Sequence, residues 1–435
     1  MRRAAAAAAV AAGVALLVVA AVPVLNRPQT SPPAQQPASA AFAATDSLSQ
    51  QIANAQVRLQ KVPNDAKAWA QLGGSYVQQA RVTADPSYYP RSEGALTKSL
   101  ELKPDNNDLA MTGMGALANA RHEFTQAADY ARRAQAINAF GSASYGVLAD
   151  ALIQLGDYPG ATGAAQRMLD LAPGVSSFTR ASYDLELGGR TDDARIVLQR
   201  ALNESTDPAD VAFCRVYLSQ LAFGLGDLDT AERDAQAGLA VTPDEPNLLI
   251  SQARVDAARG RTDVAVAGYQ RVVNLRPLPE YLVEFGQLLE SLGRVEEANT
   301  QYALFRTAQQ LFASNGVQDS LTGALLAANR GQAESAVAQA QVEWKLRQNI
   351  DSADAMAWAL HAAGRDAEAL PYAQRATALG TRNASFLYHR GVIEAALGMG
   401  QARATLTRAL ATNPHFSPLF APRAQQALAA LGGPM

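Results

Sequence analysis

The sequence predicts an all-α fold, an elongated solenoid of about ten helix-turn-helix units, and three observations support this prediction. The chain has 435 residues, which is more than one ordinary compact domain needs. Hydrophobic residues make up 48% of the chain but aromatic residues only 6%, so small and aliphatic side chains dominate, and these favour close helix packing. A short phrase with a central glycine, such as ESLGRVEEA at 290–298, recurs along the chain.

The recurring glycines are 33 to 38 residues apart, a period typical of helix-turn-helix solenoids. Glycine tolerates the left-handed conformation that ends the first helix of each unit. An alanine follows most of these glycines by five residues and lets the second helix pack closely, and a proline often closes the unit. The turn glycines are Gly156, Gly189, Gly226, Gly260, Gly293, Gly331 and Gly364.

The units resemble tetratricopeptide repeats, whose pattern begins W-x2-L-G-x2-Y and ends in A and P. The first unit matches this pattern best, and the resemblance covers about ten phased units over 66–415. It implies a right-handed superhelical solenoid whose first helices line a concave groove. The matching residues of the first unit are Trp69, Leu72, Gly73, Tyr76 and Pro104.

Two places break the period. Residues 82–95 add about seven residues between the helices of the first unit, and we expect Tyr88 and Tyr89 at the tip of this insertion. The second helix of the seventh unit runs well beyond the usual length, which predicts a long helix or a joint between two arrays, 44–315 and 316–435. The closing residues predict a helix that caps the last unit, because a solenoid end otherwise exposes its apolar face.

The N-terminus has the pattern of a signal anchor or a signal peptide over residues 1–25. Arg2 and Arg3 precede an uncharged run that is long enough to span a bilayer, and the arginines favour a cytoplasmic N-terminus. Residues 26–43 form a Pro-rich linker. We therefore expect a single-pass protein of the cell membrane with extracytoplasmic repeats, or a secreted protein if the segment is cleaved; an Ala-rich tail of a cytosolic protein is the alternative.

Composition and motifs exclude several function classes. The net charge of −3 gives no basic surface for nucleic acid. The single cysteine, Cys214, is expected to be a small buried residue, and the four histidines are scattered, so no metal site is predicted. None of the common nucleotide-binding, hydrolase or zinc-protease motifs occurs, so we expect no catalytic residue and no cofactor.

The expected binding surface is the concave face. The tetratricopeptide resemblance places particular positions of each first helix in the groove, and it disfavours capture of a C-terminal carboxylate because the lysine and asparagine clamp of some family members is missing. The candidate partner-binding residues are Asn119, Asp150, Tyr183, Gln220, Arg254, Gln287, Trp358 and His361.

Two functions fit this sequence. The first is a non-catalytic scaffold that binds a protein or peptide of unknown identity through the concave face, by polar contacts and an aromatic anchor. The second is a binding protein for a small molecule or a cell-envelope saccharide, with the groove as the ligand cleft. The oligomeric state does not follow from the sequence.

Overall fold

A computed structural model describes residues 40–432, with side chains from residue 48 onward. The predicted signal or anchor at 1–25 lies outside the described residues. Within the described part, no helix is long and apolar enough to cross a membrane. The same part contains 22 helices and no strand, which confirms the all-α prediction.

Ten helix pairs follow one N-terminal helix, α1 (Ala40–Lys61), which begins four residues before the predicted start of the array. The first helices of units one to ten are α2 (Ala66–Thr83), α4 (Asp108–Ala120), α6 (Ser142–Leu155), α8 (Val175–Leu187), α10 (Pro208–Gly224), α12 (Pro246–Ala258), α14 (Pro279–Ser291), α16 (Leu321–Asn329), α18 (Ile350–Ala362) and α20 (Ala384–Ala396). The second helices are α3 (Tyr88–Leu102), α5 (Phe124–Ile137), α7 (Tyr158–Leu171), α9 (Thr191–Glu204), α11 (Leu228–Val241), α13 (Thr262–Leu275), α15 (Val295–Ser314), α17 (Ala333–Leu346), α19 (Asp366–Ala376) and α21 (Ala402–Thr412). A final helix, α22 (Phe420–Ala430), covers the last unit.

The turn chemistry predicted from the sequence is confirmed. All seven turn glycines have φ between 70° and 79°, in the left-handed region. The alanines five residues later are at most 1% exposed, because the second helix packs on the first at these points. A close approach also explains Gly73, where a Cβ would come within 2.5 Å of Leu96 Cγ on α3.

The first two units make the same turn without glycine. Ala84 and His122 occupy the left-handed position, with φ of 54° and 64°. The prediction for Tyr88 and Tyr89 was wrong: they form the first turn of α3, not a loop tip, and Tyr89 is only 5% exposed. The insertion is absorbed by lengthening α2 to 18 residues, and the tyrosine ring then packs in the core of the first units.

The superhelix closes on itself after about five units, so that its second turn packs directly on its first. The turns of units one to five contact the loops that follow units six to ten. Hydrogen bonds across this seam, the inter-turn seam, join residues 190 to 197 positions apart. Examples are Gln348 N to Gln154 O (3.1 Å), Gln318 N to Arg121 O (3.1 Å) and Asn413 Nδ2 to Phe223 O (2.8 Å). The turn glycines of units six to nine face open space instead.

Apolar packing also crosses the seam. Ile350, Ala353 and Phe386 of the second turn belong to the same core cluster as Val147 and Tyr183 of the first. The concave face is therefore wound into a lumen between the two turns, which the sequence alone did not predict.

The predicted break in the period at unit seven is present, and it corresponds to a long second helix that contacts the first superhelical turn. Helix α15 has 20 residues, against 14 for most second helices, and its last turns reach across the seam, where Phe312 and Val317 join the core of units one and two. Whether 44–315 and 316–435 behave as two separable arrays stays a prediction.

Candidate ligand cavity inside the superhelix

A cavity of about 220 Å³ lies in the lumen, between the first helices of units one to three and those of units seven and eight. The extended end of α15 forms another part of its wall, through Phe305, Gln309 and Phe312. Most of the lining surface is apolar, including that of Ala80 and Leu325. About half of the lining residues are nevertheless polar or charged. A concave site with an apolar wall and convergent polar groups is the usual form of a ligand site.

Three residues that line the cavity each have a buried side-chain atom without a hydrogen-bond partner among the described residues. These atoms are Nη2 of Arg81, Oδ1 of Asn119 and Oε1 of Gln287. The Gln287 side chain is only 2% exposed, so bulk water does not solvate it freely. An unsatisfied buried donor or acceptor costs about 1 to 3 kcal/mol, and native proteins seldom keep several in one place without a use.

Arg81 is the cationic end of the cavity. Burial lowers the pKa of its guanidinium to about 10, and Asp150, which attracts it, does not cancel this effect. Asp150 is already held by Arg180, whose Nε and Nη2 donate to the two carboxylate oxygens at 2.9 and 2.8 Å. Two guanidinium groups therefore share one carboxylate, and this end of the cavity carries an excess positive charge.

Glu280, at the start of α14, is a second unpaired ionisable group on the wall. Burial raises the pKa of its carboxyl to about 7. The other two arginines of the lining have local counter-ions, because Arg347 is bound by Glu343 and Asp319, and Arg276 Nη1 lies 3.9 Å from Glu245 Oε1. Arg81 thus keeps its charge uncompensated, while Glu280 can become neutral by taking up a proton.

Four of the eight sequence-predicted groove residues bind a neighbouring unit, and Asn119 is one of them, because its Nδ2 donates to Val147 O at 2.9 Å. Asp150 pairs with Arg180 on the next first helix, and Arg254 pairs with Glu284 at 2.7 Å across α12 and α14. Trp358 Nε1 donates to Asn329 Oδ1 at 2.7 Å, and its ring stacks on His389 at 3.9 Å between centroids. These contacts hold successive units together.

The other candidates divide into cavity and non-cavity positions. Asn119, Asp150 and Gln287 line the cavity, whereas Tyr183, Gln220, Arg254, Trp358 and His361 do not. Tyr183 is 5% exposed and its hydroxyl has no partner among the described residues, and burial raises its pKa. His361 contacts Asp366 across the turn at 2.5 Å, and Gln220 is half-buried. Whether any of the eight contacts a partner stays a prediction.

Sequence reasoning missed Arg81 and His122, the two most telling residues near the cavity. Arg81 lies in the last turn of α2, where a basic residue is ordinary in any helix. His122 occupies the left-handed turn position without being glycine. Its Nδ1 donates a hydrogen bond to Gln318 O (3.0 Å) across the seam, and its ring stacks on Phe124. The repeat period was the only sequence signal that His122 is a turn residue, because His122 lies 34 residues before the turn glycine Gly156.

Chemically, the cavity offers hydrogen-bonding and ionisable side chains beside an apolar wall. In residues 48–432 no group of three or more histidine, cysteine, aspartate or glutamate side chains is placed to hold a metal ion. Cys214 is buried, as predicted, and burial raises the pKa of its thiol to about 11, which disfavours the reactive thiolate.

The class of the protein follows from this geometry: it is a tetratricopeptide-like repeat solenoid of ten phased units with a flanking helix at each end. Among solved structures, the chain is similar in fold to the APC/C heterotetramer Cut9–Hcn1, with 15% identity, a TM-score of 0.41 and coverage of 89% of this chain and 82% of that one. It is also similar to a tetratricopeptide repeat protein from Parabacteroides merdae (16% identity, TM-score 0.37, coverage 60% and 99%). A third is YrrB, a TPR protein with an unusual peptide-binding site (16%, 0.30, 42% and 93%). No family model matches the sequence, and no curated protein matches it.

Proposed function

We propose that this protein is a non-catalytic interaction scaffold that binds an extended segment of a partner protein along the inner face of its closed superhelix. The supporting observation is the set of unpartnered polar atoms at predicted groove positions, on Asn119, Tyr183 and Gln287. An extended peptide offers alternating backbone N–H and C=O groups, and such groups satisfy a row of isolated donors and acceptors. The apolar wall beside them accepts the partner's side chains.

The proposal concerns binding alone. Anchoring or export by residues 1–25, and a location in the cell membrane or outside the cell, stay predictions from the sequence.

The test is a selection from a displayed library of random peptides on the immobilised full chain. The wild type is expected to enrich a family of related peptides, and the triple variant Asn119→Ala, Tyr183→Phe, Gln287→Ala is expected to lose them. A control variant changes two exposed outer residues, Gln199→Ala and Gln270→Ala, and should enrich the same peptides as the wild type. Circular dichroism first establishes that both variants are folded.

Either of two results contradicts the proposal. One is a wild-type chain that enriches no peptide family, and the other is a folded triple variant that enriches the wild-type family undiminished. Proximity labelling in the native cell would then show whether a partner binds elsewhere on the solenoid.

A further inference from the structure

We infer that the cavity between α2, α4, α14 and α15 is a separate binding site for a small apolar carboxylate, whose anionic end binds Arg81 and whose hydrocarbon part lies among the aromatic residues of α15. This inference goes beyond the proposed peptide scaffold. The pocket shares Asn119 and Gln287 with the proposed peptide-binding face, but Arg81 belongs to the pocket and Tyr183 does not.

The charge of the site selects an anion. The Arg81 guanidinium has a buried Nη2 without a partner, and it forms no ion pair with the described residues. The one carboxylate near it, Asp150, is already occupied by both arms of Arg180. A ligand carboxylate is the group that restores a hydrogen-bonded counter-ion to Arg81, because a planar guanidinium matches two carboxylate oxygens.

The remainder of the wall selects an apolar body. Phe305, Phe312 and Leu325 line the side of the cavity that belongs to the second turn, and Ala80 and Ala116 line the side of the first. Small alanine side chains leave space opposite the large rings, so the void is shaped by the sequence and is not a random packing defect. The amide oxygens of Asn119 and Gln287 have no donor among the described residues, so they can accept hydrogen bonds from a ligand.

The seam explains why the site exists. A superhelix of regular units would bring the turns into contact everywhere, as they do at units four and five. At unit seven the loop after α15 keeps this contact, through Gln318 N and Arg121 O, and the extended α15 adds Phe312 to it. The cavity lies beside them. The pocket is therefore closed only while the two turns are packed together, and a ligand inside it contacts both of them.

The test measures binding of decanoate to the full chain by calorimetry and by thermal shift. Wild type is expected to bind decanoate and to melt at a higher temperature in its presence. Arg81→Gln should weaken binding roughly tenfold or more, because it removes a charge-assisted hydrogen bond. 1-Decanol, with the same chain and no charge, should bind the wild type more weakly than decanoate by a similar factor.

Two controls separate the cavity from other effects. Arg133→Gln removes an exposed arginine on α5 and should leave decanoate binding unchanged. Arg81→Lys keeps a positive charge and should restore part of the affinity lost in Arg81→Gln. Without ligand, Arg81→Gln should melt no lower than the wild type, since it removes a buried charge that has no partner.

The inference is overturned if the wild type does not bind decanoate, if Arg81→Gln binds it as tightly as the wild type, or if 1-decanol binds as well as decanoate. Failure here is distinguishable from failure of the scaffold proposal, because Tyr183 lies outside the cavity wall. Tyr183→Phe should reduce peptide enrichment and leave decanoate binding unchanged. Arg81→Gln should weaken decanoate binding and leave peptide enrichment unchanged.

Discussion

Packing of the second superhelical turn on the first can be tested with a single methyl group. Gly189, in the turn of unit four, and Gly260, in the turn of unit six, have the same backbone conformation, with φ of 73° in each. A Cβ on Gly189 would overlap the carbonyl oxygen of Gly380 across the seam, whereas a Cβ on Gly260 would meet nothing within 4 Å. Alanine at the two positions therefore has the same local cost and a different long-range cost.

The expected magnitudes follow from these two contributions. An alanine in the left-handed region costs about 1 to 2 kcal/mol, and both variants carry this loss. Gly189→Ala must also move the loop that contains Gly380, and overpacking of a close contact typically costs a further 1 to 3 kcal/mol or so. We expect Gly189→Ala to be less stable than Gly260→Ala by that second amount.

The measurement is urea unfolding of the full chain, followed by far-UV circular dichroism, with small-angle X-ray scattering of the folded variants. Gly189→Ala should also scatter as a longer particle if the seam opens to relieve the clash. Equal loss of stability in the two variants, with unchanged scattering, would show that the turns of the superhelix are not packed together in solution.

Three further predictions follow from buried groups. Asp150→Asn leaves Arg180 buried without its anion and should lower the free energy of unfolding by about 3 to 5 kcal/mol in a urea titration. The control Asp193→Asn affects only an exposed ion pair and should lower it by less than about 1 kcal/mol. Because burial raises the pKa of Glu280 from 4.5 to about 7, the folded chain binds its proton more tightly than the unfolded chain. Its contribution to stability is therefore complete below about pH 4.5 and falls by about 3 kcal/mol as the pH rises to about 7. Glu280→Gln should remove this part of the pH dependence, and an unchanged pH profile would contradict the assignment. Trp358→Ala should cost about 3 to 5 kcal/mol in thermal or urea unfolding, because its ring is buried in the core of the last units; a loss below about 1 kcal/mol would place the ring outside that core.

The sequence was sufficient for the local fold because each repeat signal acts within one unit. The left-handed glycine of a turn such as Gly293 and the small Ala298 five residues later report on contacts inside a single helix pair. The same logic located the long second helix of unit seven from its broken period. Where glycine was replaced, as at His122, the signal weakened and only the spacing remained.

The candidate site was predicted in part. The tetratricopeptide resemblance placed Asn119, Asp150 and Gln287 on the inner side, and all three line the cavity. It could not predict that Asp150 and Arg254 would be consumed by ion pairs to the next unit, because their partners lie 30 residues away and are not marked by the repeat pattern. Nor did it single out Arg81, which stands out only because its buried Nη2 has no hydrogen-bond partner among the described residues.

The sequence by itself determined the helices, their turns and the number of units, because these depend on interactions over fewer than about 40 residues. Only the tertiary structure decided how tightly the array is wound. Small changes in packing angle between neighbours add up over five units, and their sum brings Gln154 against Gln348 and closes a lumen around Arg81. That sum is a property of the whole superhelix, and no single repeat encodes it.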